Sequence, residues 1–352
     1  MTSGTLNDFQ NFIRQKRADG EDIRIPKPAF NTEENTFSGN PDADFQQRKK
    51  DLVENFTGGK LTKKVEVKTE QSGFSYFLDG IEKKRILCYY RSIPFIYGYV
   101  AGAILKRTDK KIHSCDTEKS EGVLYIPVKE DKDAPEHYLD LTEIKGISNY
   151  KNIGEIVQKG NIKDYPRYPE EFIKQAHSEI QEQRRKIESD LTDTWIDSGF
   201  DDGMLFVDGT LNTKSKKVLE SSKVVGVVKS HGVNYFSFEE MYELYNMKKG
   251  ERSAVFQPYD NSENKKDIYT WYLRIHSDNR NGVNDFGIVR VEIPAKSDLL
   301  SRVDEISSWI LLETKPVGFP ASRWDRMIYP IKYCEDYLKS KAPSRAMIDS
   351  LR

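Results

Sequence analysis

Two apolar segments, far apart in the 352-residue chain, each run into an aspartate followed by glycine: Phe74-Ser75-Tyr76-Phe77-Leu78-Asp79-Gly80 and Met204-Leu205-Phe206-Val207-Asp208-Gly209-Thr210. Short apolar runs rich in aromatic and β-branched residues read as buried strands. A strand fixes the carboxylate delivered at its exit, and the glycine after it lets backbone or substrate come close. Two such carboxylates on adjacent strands repel each other, and at neutral pH a cation between them relieves the repulsion. A single Asp-Gly is most often only a turn. The pairing of two, with the strand Lys223-Val224-Val225-Gly226-Val227-Val228-Lys229 after the second, makes a divalent-metal site the stronger reading.

The rest of the pattern supplies a frame for that pair. Residues 64–67 alternate. Residues 74–80, 84–90 and 95–105 predict three strands of a meander, with a further short strand over 122–128. Pro169, with Glu170 and Glu171 behind it, opens a helix over 170–195 whose Phe172, Ile173, Ala176, Ile180, Ile187 and Leu191 form one apolar stripe. After the second Asp-Gly strand come a helix over 211–220, the strand over 223–229, a strand pair over 268–275 and 286–293, and helices over 299–312 and 329–339. Pro330 fits the first turn of the last helix. Strands first, then helices and strands by turns, predict an α/β fold: a ribonuclease-H-like mixed sheet flanked by helices, with the aspartates of its first and central strands side by side. Residues 1–60 are polar and turn-rich, with short helices over 8–14 and 45–56, and are expected to form a polar N-terminal arm. The domain proper spans 61–352, with a charged, glycine-dotted insertion around 107–168.

Composition narrows the function classes. Lys plus Arg (55) almost cancels Asp plus Glu (56), so no global positive field announces nucleic acid, and any such site must come from local clustering. Two candidates for it are Lys214-Ser215-Lys216-Lys217 and Lys106-Arg107-Thr108-Asp109-Lys110-Lys111, although such runs are more often solvated faces. Cys88, Cys115 and Cys334 are odd in number and form no CxxC pair, which argues against a disulfide framework or structural zinc. The N-terminus has no apolar stretch of signal-peptide length and no window reaches the length of a membrane span, so the expectation is a cytoplasmic protein without a membrane partner.

At this point the chain resembles the NurA family of DNA-end-processing nucleases. Leu78-Asp79-Gly80 matches its first strand, and Leu205-Phe206-Val207-Asp208-Gly209-Thr210-Leu211 is similar to its "DGSL" stretch. Val225-Gly226-Val227-Val228-Lys229 is similar to its "VGVSK" strand, Val289-Arg290-Val291-Glu292-Ile293-Pro294 to its R-x-E-x-P stretch, and Arg184-Arg185-Lys186-Ile187-Glu188 to the helix before its central strand. The similarity covers residues 74 to about 340. It implies a ribonuclease-H-like core, a homodimer, Mn²⁺ or Mg²⁺ as cofactor, cutting of DNA from its ends, and work with a HerA-like hexameric ATPase that translocates DNA, in repair or antiviral defence.

The resemblance makes Asp79, Glu188 and Asp208 the catalytic, metal-binding carboxylates, with Glu182 as a neighbouring alternative to Glu188. The family carries a Tyr-Pro followed by a helix with a metal-binding histidine. Here Tyr329-Pro330 supplies the first part, and Tyr337 stands where the histidine would fall, beside Asp336. A second register on Gly318-Phe319-Pro320 puts Met327 there. Asp336 would replace the histidine as a metal ligand, since a carboxylate suits a hard cation. Phosphodiester cleavage needs an activated water and charge stabilisation at the leaving oxygen, and carboxylate-held divalent ions supply both. Lys229, Arg290 and Tyr329 are the expected nucleic-acid contacts, Lys229 and Arg290 through phosphate, and Tyr269, Trp271 and Tyr272 are candidates for stacking on unpaired bases. The alternative is a NurA-like subunit, weak or inactive in catalysis, that binds DNA or serves assembly.

Overall fold

Two tight reversals organise the first half of the chain. Arg91 and Ser92 adopt positive φ (49° and 70°), as do Asp109 and Lys110 (49° and 67°). Two consecutive left-handed residues make the primed hairpin turns whose twist suits antiparallel strands. They join three long strands into a meander: β4 (Phe74–Tyr90), β5 (Ile93–Thr108) and β6 (Lys111–Ile126). The computed structural model describes residues 2–25, 48–66, 69–130, 132–157, 163–229, 234–260, 264–276, 284–315 and 324–349.

Ahead of the meander lie α1 (Thr2–Ala18) and the short strands β1 (Ile23–Arg24), β2 (Lys50–Leu52) and β3 (Thr62–Lys64). After it come β7 (Tyr150–Asn152), a two-stranded ribbon of β8 (Ile156–Val157) and β9 (Lys163–Asp164), and the long helix α2 (Pro169–Asp197). Then follow β10 (Met204–Asp208), α3 (Lys216–Glu220), β11 (Val224–Val228), α4 (Phe238–Tyr245), β12 (Glu251–Ser253), β13 (Phe256–Pro258), β14 (Ile268–Arg274) and β15 (Ile288–Pro294). Helices α5 (Ser297–Leu300), α6 (Val303–Glu313), α7 (Tyr329–Lys341) and α8 (Arg345–Asp349) close the chain.

Thirteen of these strands form one mixed sheet. Across its centre the order is β6-β5-β4-β10-β11, with β4, β5 and β6 antiparallel and β10 parallel to both β4 and β11. This is the ribonuclease-H-like arrangement expected from the order of strands and helices. β15 and β14 extend the sheet antiparallel beyond β11. Strand alternation sends successive side chains to opposite faces. Helix α2 covers one face through Phe172, Ala176, Ile180, Ile187, Leu191 and Trp195. Helices α6 and α7 cover the other, through Val303, Ile306 and Ile310, and through Ile331, Cys334 and Leu338. Glu171 fixes the start of α2 by accepting from the backbone N–H groups of Arg167 (2.6 Å) and Tyr168 (3.1 Å).

Several expectations are corrected. Part of the 1–60 segment is core rather than arm: Leu6, Phe9, Phe12 and Ile13 of α1 are buried against the meander, Phe12 stacking on Phe95 at 5.1 Å. Polar residues on the outer face of α1 dominate its composition and conceal this stripe. The helix expected over 45–56 is instead the strand β2 among its described residues (45–47 lie outside them), held by pairing with β13. Lys111–Ile126, inside the expected insertion, is the third meander strand, polar where it faces solvent. The first Asp-Gly does not end a strand, because β4 continues through it and pairs with β5 along its length. No helix among the described residues is long and apolar enough to cross a membrane, and all three cysteines are free.

Candidate active site

Parallel pairing of β4 with β10 sets Leu78 opposite Val207, so that Asp79 and Asp208 are the next residues on neighbouring strands. Phe77 and Phe206, two residues earlier on each strand, belong to the cluster under α6 and α7, and alternation carries both aspartates to that same face. Asp208 closes β10. Gly209 then turns at φ 129°, a conformation that favours glycine, and Gly226 of β11 leaves room for it: a Cβ there would lie 2.8 Å from the Gly209 carbonyl oxygen.

Asp79 is buried, and its Oδ1 accepts from the Gly80 backbone N–H at 2.7 Å. Burial, and next the negative charge of Asp208, hold its carboxyl well above the ordinary range. Lys229 offsets part of this and Glu188 adds to it. Lys229 donates to Asp208 Oδ2 at 2.9 Å. Over the two aspartates lies Cys334 of α7, whose thiol donates to the Ala103 carbonyl at 3.4 Å and whose pKa burial and Asp79 push up.

Glu188 arrives from the other face. A Cβ on Gly80 would stand 2.3 Å from Glu188 Oε1, so the missing side chain is what lets the carboxylate rest on β4 beside Asp79. Its pKa is pushed up to about 7 by burial, with Arg184 opposing and Asp208 reinforcing the shift. Arg184 ion-pairs with Glu188 one helical turn on, and reaches Glu82 at 3.4 Å. Glu182 is exposed and pairs with Arg185, so its side chain lies outside this cluster.

The structure thus brings Asp79, Asp208, Lys229 and Glu188 together and leaves three expected residues elsewhere. Asp336 points outward from α7 and pairs with Lys332 at 2.7 Å, because helical periodicity turns Cys334, not Asp336, toward the sheet. Arg290 is buried on the α2 face, bonded to Glu292 at 2.8 Å and set against Tyr235. Tyr329 opens α7 with its ring exposed. Tyr337 donates to Glu118 at 2.7 Å, away from the aspartates, and Gly318-Phe319-Pro320 lies outside the described residues. Trp271 and Tyr272 are core, and Tyr269 is partly buried against it. The expected DNA tracks are partly neutralised within the chain: Lys106 binds Asp202, Arg107 binds Glu313 and Lys217 binds Asp197.

Three residues of the site escaped the sequence reading. Cys334 is reachable from the spacing Ile331, Cys334, Leu338, the buried stripe of α7. Arg184 stands at i,i+4 to Glu188, a detectable pair. Glu292 has no local signal: it accepts from the Leu211 backbone N–H at 2.9 Å, tying the turn after Asp208 to β15.

Asp79 and Asp208 suit a hard divalent cation in chemistry and in placement, as carboxylates on neighbouring strands of which Asp79 is buried and Asp208 half-buried. Among the described residues, however, no group of three or more His, Cys, Asp or Glu side chains is arranged to hold a metal ion. Glu188 sits across the β4 backbone with Arg184 on its carboxylate.

A family model for the NurA domain matches residues 88–324, more than half of the chain. The match includes Glu188, Asp208 and Lys229. Asp79 and α7 lie outside it and are joined to the site by the sheet. No curated protein matches the chain.

Proposed function

The chain belongs to the NurA family of nucleases, and from that premise we propose that it hydrolyses phosphodiester bonds at DNA ends, with Asp79 and Asp208 holding Mn²⁺ or Mg²⁺. The observation that carries this reading is the pair itself: two carboxylates at matched positions of adjacent parallel strands, one of them buried. Divalent ions held by such a pair supply a water ionised near neutral pH and countercharge for the leaving oxygen. Asp79, fixed in mid-strand, sets the position, while Asp208 at the strand end faces the approach of substrate. Lys229 neutralises Asp208 in the free protein and would be free to meet a substrate phosphate if a metal ion took its place. Glu188 would complete the ligand set if Arg184, which already reaches Glu82, gave up its carboxylate to the ion.

A HerA-like hexameric translocase, a homodimer, a cytoplasmic location and a role in repair or antiviral defence belong to the same proposal. Their support is family membership alone. The test is degradation of end-labelled linear DNA across a Mn²⁺ and Mg²⁺ titration, alone and with the ATPase. Wild type should shorten the DNA, and Asp208→Ala should abolish cutting while keeping a cooperative, folded melting curve in EDTA. A second reading, a DNA-binding subunit without catalysis, is favoured by Arg184 and Lys229 already sitting on two of the carboxylates. Absence of any metal-dependent cutting, with or without the ATPase, would select it.

A further inference from the structure

Helix α4 carries two aromatic rings that its own core does not use. Its inner face is satisfied by Leu244, with Met241 and Tyr245, packed on Phe256, Tyr272 and Ile288. Phe238 and Tyr242, one helical turn apart, are 87% and 70% exposed, more than any other large apolar side chain among the described residues. Beside them opens a cleft of about 320 Å³ lined by Arg48, Lys49, Lys50 and Tyr235. Glu240 of α4 binds Lys50 at 2.8 Å, which locks the helix to the cleft wall. Arg48 and Lys49 form no ion pair among the described residues.

A further cation underlies the cleft. Arg290, more than nine-tenths buried, sits 5.5 Å from the centre of the Tyr235 ring, and its buried Nε has no hydrogen-bond partner. Lys266 adds to the excess. Burial first, then the Arg290 and Arg48 charges, hold its ammonium below the ordinary range, with Glu292 and Asp260 opposing. The same Arg290 binds Glu292, which holds the turn after Asp208. β15, which carries both, lies two strands from β10, roughly 10 Å at ordinary strand spacing.

We propose that this end of the molecule binds single-stranded DNA, with backbone phosphates on Arg48 and Lys49 and successive unpaired bases stacked on Phe238 and Tyr242. Positive charge beside adjacent exposed rings is the combination that single-strand binders use. A protein partner would account for the rings but leaves Arg48 and Lys49, which have no ion pair among the described residues, without a counterpart. Duplex DNA would account for the cations but keeps its bases out of reach. The choice of DNA as the polyanion rests on the proposed nuclease function, and the two are separable by experiment.

The measurement is fluorescence anisotropy of a labelled oligothymidylate and of a labelled duplex with the full chain in EDTA, where metal-dependent cutting is silent. Phe238→Ala and Tyr242→Ala should each weaken single-strand binding about tenfold, leave duplex binding and the melting curve unchanged, and leave the oligomeric state unchanged. Arg48→Ala and Lys49→Ala should weaken both ligands and reduce the slope of log affinity against log salt by about one each. The proposal is overturned if the aromatic variants bind the single strand like wild type, if they lose both ligands equally, or if they change only the oligomeric state. Cutting by a wild-type protein whose aromatic variants bind normally would sink this site and spare the nuclease. Ring-dependent binding without cutting would do the reverse.

Discussion

Glu188 and Gly80 act as one unit, and both have consequences measurable at single positions. Folding raises the Glu188 pKa from an ordinary 4.5 to about 7. The native state therefore holds the Glu188 proton more tightly than the unfolded chain does. Between these two values the unfolded chain releases its proton while the native state keeps it, so stability falls as pH rises, and it levels off once the native carboxyl has also ionised. The span corresponds to roughly 3 kcal/mol. Without divalent metal, thermal melts should show lower stability at pH 8 than at pH 5, and Glu188→Gln should flatten part of that fall. Asp79, shifted in the same direction, adds to the fall. An unaltered pH profile in Glu188→Gln would show that the carboxylate is not confined as described. Gly80→Ala presses a methyl group into the Glu188 carboxylate, the mobile end of a side chain. Its stability cost should be on the order of 1–2 kcal/mol, while DNA cutting should fall as far as in Glu188→Gln. Comparing the two variants in one cleavage assay tests this.

At the scale of elements, glycines on β5 decide how closely α2 can lie. A Cβ on Gly98 would meet Ile180 at 2.6 Å and Tyr125 at 2.7 Å, and one on Gly102 would meet Ile187 at 2.9 Å and Leu191 at 3.0 Å. These neighbours are packed core, unlike the carboxylate at Gly80. Gly98→Ala and Gly102→Ala should therefore each cost about 1–3 kcal/mol in chemical denaturation. Phe9→Ala in α1 should cost about 3–5 kcal/mol, where a free arm would show no loss. The α2 stripe was legible because its apolar period runs from Phe172 to Leu191, interrupted only at Gln183 and Arg184, and Pro169 marks its start. The continuity of β4 was not. Glu82 and Lys83 fall between the strands expected over 74–80 and 84–90, in a charged run that resembles a turn, but distant partners compensate the charges: Arg184 for Glu82, and Asp349 of α8 for Arg85. Such pairs leave no trace in local sequence. β6 was hidden for the opposite reason, since its first two-thirds face solvent and need no apolar pattern.

For the whole molecule, the sheet places its acidic residues on two faces that meet where β10 ends. Asp79 and Asp208 face α7, and Glu188 faces them from under α2. Their convergence was legible from two Asp-Gly strands, but which helix position would cover them was not, because helical phase turns Cys334 inward where the chemistry favoured Asp336. In the free protein this cluster is balanced by Lys229 and Arg184, and burial beside Asp208 makes the Asp79 charge costly. Removing its charge should then do little harm: Asp79→Asn should match or exceed wild-type stability at pH 8 in EDTA. A divalent cation bound by the native state alone adds RT ln(1 + [L]/Kd), about 2.7 kcal/mol at a hundredfold excess over Kd, or several degrees in melting temperature. Titrating Mn²⁺ at pH 8 should raise the wild-type melting temperature by this amount, and EDTA should reverse it. Asp79→Asn and Asp208→Asn should lose the rise, while Asp336→Asn should retain it. A wild-type melt insensitive to Mn²⁺, or a rise that persists in both aspartate variants, would show that these carboxylates serve the sheet and not a cation.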